Sequence, residues 1–298
     1  MAQKLHQLSY TEFWRGRSGL TFGVEKVLFS EQSEFQRIEV LQTDAVGRVL
    51  TLDGLVMLTE WDEFVYHEMI SHPALCLIDA PRQVLVVGGG DGGTVREVLR
   101  HPSVERVDLV EIDQMVIDVS RRFLPSVSSA LDDERLTVHV RDGVQFALGA
   151  PDDSYDVIII DSTDPVDFAE PLFGESFYQD CARMLTDEGI LVAQSESPFD
   201  PAFRDTLQRA HRDLASILPH VHMYLAPIPT YPMGTWSFTL SARGTDPLHR
   251  FDAERVASKT HPFADRLQYY NAEIHAAAFA LPNFVRRAFA TPDPSAGR

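Results

Sequence analysis

A chain of 298 residues, 44% hydrophobic and 23% charged, is long enough for two folded domains and has an ordinary globular composition. Its 26 basic and 44 acidic residues leave a net charge of −18, which disfavours nucleic acid as a main partner and is compatible with cationic small molecules. No apolar run approaches the roughly 20 residues of a membrane helix, the first residues lack an apolar signal core, and Cys76 and Cys181 lack disulfide or metal spacing, so a cytoplasmic protein with no membrane partner is expected.

Residues 1–60 read as a small β-domain. Leu20–Val24, Glu34–Leu41 and Arg48–Leu52 are short runs between turn residues, and Gly54 in Leu52-Asp53-Gly54 is free to take positive φ. From Glu60 the period changes, with Trp61, Phe64, Val65, Met69 and Ile70 at helical spacing to about Ile70. Over 61–290 an α/β rhythm follows. Strands are expected at Gln83–Val87, Arg106–Ile112, Leu136–Val140, Tyr155–Ile160, Gly189–Ala193, His220–Leu225 and Trp236–Leu240. Helices are expected at Gly93–Arg100, Met115–Phe123 and Phe177–Leu185. This alternation predicts a mainly parallel, doubly wound sheet covered on both faces. Residues 291–298 read as a mobile tail.

The first strand of that rhythm runs into Gly88-Gly89-Gly90-Asp91-Gly92-Gly93, where Gly88, Gly90 and Gly93 satisfy G-x-G-x-x-G. Such glycines let backbone approach a ligand at a helix N-terminus, although the same spacing also makes a tight turn with no ligand. Glu111 ends the next strand, where a carboxylate holds ribose hydroxyls in folds of this kind, and Asp142 follows the third, where an adenine amino group could be held. Either acid could instead be a solvated turn residue. A nicotinamide cofactor and an adenosyl-sulfonium donor both fit this glycine spacing.

Three further segments carry chemistry. Ile158-Ile159-Ile160 delivers Asp161 and Asp164, three residues apart, to the sheet edge that holds the glycine turn. Paired carboxylates also bind metals, and Asp164 could cap a helix. No His or Cys lies nearby in sequence for a transition-metal set, magnesium stays open, and no P-loop is present. Tyr66-His67-Glu68 lies on the first helix, and Ser71 stands where a zincin needs its second histidine. Pro229-Thr230-Tyr231-Pro232 brackets one tyrosine in a rigid turn.

LDGLVMLTEWDEFVYHEMISHPAL, VLVVGGGDGGTVREVLRHPSVERVDLVEID, DSTDP, IPTYPMG and LQYYNAEIHAAAFALPNFVRRAF together resemble the spermidine synthase family, over about Gln36 to Phe289. The resemblance implies a small β-domain before a methyltransferase-like Rossmann domain, with the active site between them. It implies transfer of an aminopropyl group from decarboxylated S-adenosylmethionine to an amine such as putrescine, releasing methylthioadenosine, with the donor as co-substrate and no metal or other cofactor. It matches Gln36, Glu111, Asp142 and Gly143 to the adenosyl site and Asp91 to the aminopropyl ammonium. Tyr66, His67, Asp164, Gln194 and Tyr231 match positions around the amine, and Asp161 matches the proton acceptor. A homodimer or homotetramer is also implied. The chain departs from the family at Asp167 and Phe168, where a glycine-proline pair is usual.

The chemistry is coherent. An amine with a solution pKa of about 10.4 is an ammonium at neutral pH and must lose a proton before it attacks the methylene beside the sulfonium. Asp161, with the Tyr66 hydroxyl, would accept that proton. Asp91 would repel the carboxylate of ordinary S-adenosylmethionine and attract the ammonium of the decarboxylated form, by about 4 kcal/mol at 4 Å for an effective dielectric of about 20; it could instead cap the following helix. The rival readings are a methyltransferase on the same fold, a non-catalytic polyamine-binding protein and a nicotinamide dehydrogenase.

Overall fold

The computed structural model describes residues 8–14, 18–163, 171–200 and 204–289. Strands β1 (Leu8–Trp14), β2 (Ser18–Gln32), β3 (Arg37–Thr43), β4 (Arg48–Leu52) and β5 (Leu55–Thr59) form an antiparallel meander in chain order. Asp53 and Gly54 join β4 to β5 with φ of 48° and 81°, a turn whose twist matches that of the strands. Ile38, Val40, Leu50 and Leu52 make an apolar face that packs on Val116 and Val119 of the second half of the molecule. Each such buried aliphatic side chain contributes about 1.5–3 kcal/mol, which fixes how the two halves meet.

This sheet exceeds the sequence reading in three places, one of them β5, which lies outside the three expected runs. β1 was not expected, because Glu12 is its one buried residue and no apolar alternation marks it. β2 runs for 15 residues rather than over Leu20–Val24, and both its ends are exposed and largely polar.

Helix α1 (Glu63–Leu77) is buried at every position but Phe64, so it forms a central rod rather than a surface helix. It continues past Ile70, where the periodicity faded, and through Pro73. Proline lacks the N–H that would bond the Met69 carbonyl four residues back. The Tyr224 hydroxyl donates to that carbonyl at 2.7 Å, so the helix survives the proline without a buried unpaired acceptor.

The remaining elements are β6 (Gln83–Gly88), α2 (Gly93–Leu99), β7 (Arg106–Glu111), α3 (Gln114–Phe123), β8 (Leu136–Val140), α4 (Gly143–Gly149), β9 (Tyr155–Asp161), α5 (Glu175–Met184), β10 (Leu185–Gln194), α6 (Arg204–Ile217), β11 (His220–Pro227) and β12 (Thr235–Ala242). Their sheet has the order β11-β12-β10-β9-β6-β7-β8. β10, β9, β6, β7 and β8 are parallel, and β12 is antiparallel to both its neighbours. Val84 to Val86 and Val157 to Ile160 are wholly buried, as expected for strands covered on both faces. The fold is therefore an N-terminal antiparallel sheet followed by a mixed, Rossmann-like α/β domain.

Helices α7 (Ala253–Thr260), α8 (Ala272–Ala278) and α9 (Asn283–Phe289) close the described chain. Buried Glu68 of α1 accepts the backbone N–H groups of Gln268, Tyr269 and Tyr270 at 2.7–2.9 Å and anchors the approach to α8. Among the described residues no helix is long and apolar enough to cross a membrane. The tail read at 291–298 lies outside the described residues.

Candidate active site

β6 has neighbours β9 and β7 on opposite sides, so successive connections leave it in opposite directions and open a crevice at the strand carboxyl ends. Gly88 and Gly89 turn there with φ of 80° and 68°. A Cβ on Gly88 would stand 2.2 Å from the Asp161 carbonyl oxygen, and one on Gly89 2.7 Å from Asp161 Oδ2. Glycine at both places is what lets the glycine turn and the end of β9 touch.

The crevice opens into a cleft of about 940 Å³, counting the space at its mouth. Gln36, Gly88, Gly90, Glu111, Asp142 and Gly143 all line it, so the positions expected to hold an adenosyl group come together. Glu111 accepts the N–H of Gly90 at 3.2 Å and of Asp113 at 2.9 Å. Burial pushes its carboxyl up to about 7 despite those two bonds. Asp142 caps α4 by accepting the Gln145 N–H at 2.9 Å, so its turn and cleft placements coexist. Gln36 reaches across from the N-terminal sheet, its Nε2 donating to Asp113 at 3.1 Å.

Beside the glycine turn the cleft becomes acidic. The Tyr66 hydroxyl donates to Asp161 Oδ1 at 2.6 Å and the Thr94 hydroxyl to Oδ2 at 2.6 Å. Burial and neighbouring Asp91 raise the Asp161 carboxyl, while burial and Asp161 raise the Tyr66 phenol well above its ordinary value. The tyrosine is thus a neutral donor. His67 stands between two carboxylates, Glu63 Oε2 at 2.6 Å from Nδ1 and Asp91 Oδ1 at 3.2 Å from Nε2. Burial works against its charge, but Asp91 and Glu63 outweigh it and hold the imidazole at about 10. Asp91 also accepts the Gly93 N–H at 2.7 Å, so it caps the turn and faces the cleft at once.

His67 Nε2 and the Asp91 and Asp161 carboxylates lie within 4.8 Å of one another, the one such grouping among the described residues. Both ring nitrogens already face carboxylates, which hold the ring as a cation. The grouping suits an organic cation better.

A second cleft of about 410 Å³ adjoins at Tyr66, Met57 and Tyr231, and includes Gln194, Trp236 and Glu12. The Tyr231 ring is 5.6 Å from Tyr66 and 4.9 Å, edge-on, from Trp236. Asp62 accepts the Thr230 N–H at 2.9 Å and holds the turn carrying Tyr231. Gln194 donates to the Ser162 carbonyl at 3.1 Å and accepts from Trp236 Nε1 at 3.2 Å. Asp164, Asp167 and Phe168 lie outside the described residues.

Thr94, Glu63, Arg96, Trp236 and Glu12 join the two clefts or their supports although the sequence reading did not single them out. Thr94 follows the glycine turn directly and was findable from that position. Glu63 precedes His67 by one helical turn and was findable from that spacing, whereas Arg96, Trp236 and Glu12 meet the site through parts of the chain distant in sequence.

The family described as Spermine/spermidine synthase domain matches residues 63–249, and the one described as Spermidine synthase tetramerisation domain matches residues 10–60. A polyamine aminopropyltransferase of Clostridioides difficile is 46% identical over 283 residues, covering 94% of this chain and 98% of its own length. One of Bacillus subtilis is 45% identical over 282 residues, with coverage of 94% and 98%. A crystal structure of spermidine synthase in complex with the transition-state analogue AdoDATO is similar with a TM-score of 0.90 at 40% identity, covering 97% of this chain and 98% of that one. The spermidine synthase of Thermotoga maritima gives a TM-score of 0.88 at 40% identity, covering 97% of each chain.

Proposed function

The chain belongs to the spermine/spermidine synthase family, and we propose that it transfers the aminopropyl group of decarboxylated S-adenosylmethionine to a di- or polyamine such as putrescine, releasing methylthioadenosine. In this reading Glu111 holds the ribose hydroxyls, Asp142 with Gly143 holds the adenine end, and Gln36 belongs to the same adenosyl site. Asp91 holds the ammonium of the aminopropyl arm. The acceptor amine enters by the adjoining cleft, past Tyr231, Trp236 and Gln194, to meet Asp161.

The observation that carries the reading is the buried carboxylate of Asp161, which lines the first cleft and is fixed at 2.6 Å each by Thr94 and by Tyr66, a residue that lines both clefts. The acceptor ammonium gives a proton to Asp161, and its freed lone pair attacks the methylene next to the sulfonium. The carbon–sulfur bond breaks and its electron pair stays on sulfur, leaving a neutral thioether. A carboxyl raised by burial is a better proton acceptor than one in water, and the two 2.6 Å contacts keep its orientation through the step. Tyr66, whose phenol burial and Asp161 raise well above its ordinary value, keeps its own proton.

Incubation of the pure protein with decarboxylated donor and putrescine, cadaverine, agmatine or spermidine, followed by mass spectrometry, tests the assignment. Methylthioadenosine and an amine heavier by one aminopropyl unit are expected, with putrescine favoured. No methylthioadenosine with any amine would overturn it. The match of residues 10–60 to a tetramerisation domain supports a homodimer or homotetramer, which light scattering would measure.

A further inference from the structure

Glu63 and Arg96 stand behind His67, lining a separate polar cleft on the far side of α1 from the reacting groups. Arg96 holds Glu63 with two bonds, at 3.0 Å and 2.8 Å, and Glu63 in turn lies 2.6 Å from His67 Nδ1. The far ring nitrogen faces Asp91 at 3.2 Å. The protonated imidazole therefore donates to the same carboxylate, Asp91, that the proposed reaction needs for the donor's ammonium.

The ring cannot swing aside. It lies on Gly93, where a Cβ would come within 2.3 Å of a ring carbon, and Tyr66 packs edge-on against it at 5.4 Å. Two cations in contact at one carboxylate repel each other. A ring that cannot move relieves that repulsion by losing a proton.

We propose that Arg96 and Glu63 are positioning residues that keep one proton on His67 Nδ1, so that the arriving ammonium of the donor displaces the proton on Nε2. Before binding, Nε2–H donates to Asp91. After binding, the ammonium donates to Asp91 and to the Nε2 lone pair, and the displaced proton leaves to solvent, so one cation enters as one proton departs. Arg96 prevents the alternative in which Glu63 takes the proton, since His67 and Arg96, against the effect of burial, hold that carboxyl at about 2. The groups facing His67 are Glu63 and neutral Tyr66 from α1, Asp91 from the glycine turn and Asp161 from β9, with Arg96 of α2 behind Glu63. The inference rests on the reading of Asp91 as the ammonium's partner.

Calorimetric titration near neutral pH, in two buffers of different ionisation enthalpy, counts the protons released on binding. Methylthioadenosine is the control, because it shares the adenosyl group and any proton change at Glu111 but lacks the ammonium. Wild-type protein is expected to release about one more proton with the decarboxylated donor than with methylthioadenosine. In Glu63→Gln that difference should fall, since the ring then keeps its second proton through Asp91 alone, and the pH profile of donor kcat/KM should shift. Equal proton release by the two ligands in wild-type protein overturns the inference, and this comparison needs no variant to fold. If Asp91→Asn still weakens the donor selectively in that case, the reading of Asp91 survives alone. If Asp91→Asn changes neither ligand, that reading fails as well.

Discussion

Tyr66 and Asp161, 95 residues apart in the chain, meet through a buried hydrogen bond of 2.6 Å that ties α1 to the end of β9. Thr94 occupies the other carboxylate oxygen, so Asp161 has one orientation. As the proposed general base it should be indispensable. Asp161→Asn is expected to fold and to lose at least about 100-fold in turnover, the usual range for removing such a base. Tyr66→Phe, which leaves Thr94 in place, should cost on the order of tenfold. Methylthioadenosine release at saturating substrates checks both, and near wild-type turnover of Asp161→Asn would remove Asp161 from the mechanism.

Asp91 should set the choice of donor. Its carboxylate is held by His67 and the Gly93 N–H and faces the cleft. Asp91→Asn should weaken the decarboxylated donor and narrow its advantage over ordinary S-adenosylmethionine by about tenfold or more, part of the roughly 4 kcal/mol available to a close ion pair. Titration of both donors measures the ratio; an unchanged ratio would leave Asp91 as a cap alone.

Gly93 is required by the ring above it. A methyl group there overlaps the His67 imidazole, with contacts of 2.3–2.5 Å. Gly93→Ala should destabilise the protein by about 1–3 kcal/mol, as overpacking does, and raise the donor KM by displacing His67. Thermal melting together with donor kinetics tests this, and a variant unchanged in both would mean the ring can shift freely.

Glu111, the proposed partner of the ribose, should make adenosyl binding depend on pH. Its carboxyl, raised to about 7 by burial, is part-protonated near neutrality, while ribose hydroxyls bond the carboxylate more strongly than the acid. Affinity for methylthioadenosine should therefore rise as pH increases through 7, and the slope should vanish in Glu111→Gln. A flat profile in the wild-type protein would place the ribose elsewhere.

The Glu63–His67–Asp91 chain should also shape stability against pH. His67, raised to about 10, contributes stability that is complete below its unfolded value of about 6.5 and is lost as pH rises through the folded value. Glu63 and Asp91, both lowered, contribute stability present above about 4 and lost as pH falls. Glu63→Gln should thus cost most, on the order of 3 kcal/mol, in mildly acidic solution, with the deficit shrinking towards alkaline pH. Denaturant melts of wild type and variant across pH give the difference directly; a constant deficit would deny the charged state of His67.

Most of the scaffold was legible because it is written in local patterns. Apolar runs such as Val84 to Val87 and Val157 to Ile160 announce strands buried on both faces. The glycine turn announces the crevice, and Glu111, Asp142 and Asp161 follow their strands at one sheet edge. Where the pattern weakened, the reading weakened with it. β1 buries a charged residue instead of an alternating apolar set, and α1 continues through Pro73 because a distant tyrosine supplies the missing donor.

The sequence by itself determined the seven strands of the α/β sheet in order, the helices α1, α2, α3 and α5, and the types of side chain delivered to the cleft, since those follow from periodicity and turn chemistry within a few residues. Only the tertiary structure decided what each side chain meets. Gln36 against Asp113, Tyr66 and Thr94 on one carboxylate, and Arg96 behind Glu63 behind His67 are contacts between distant parts of the chain. The protonation of His67, Glu111 and Asp161 depends on those contacts and on burial. Charge interactions and desolvation act through space, so no local stretch of sequence contains them.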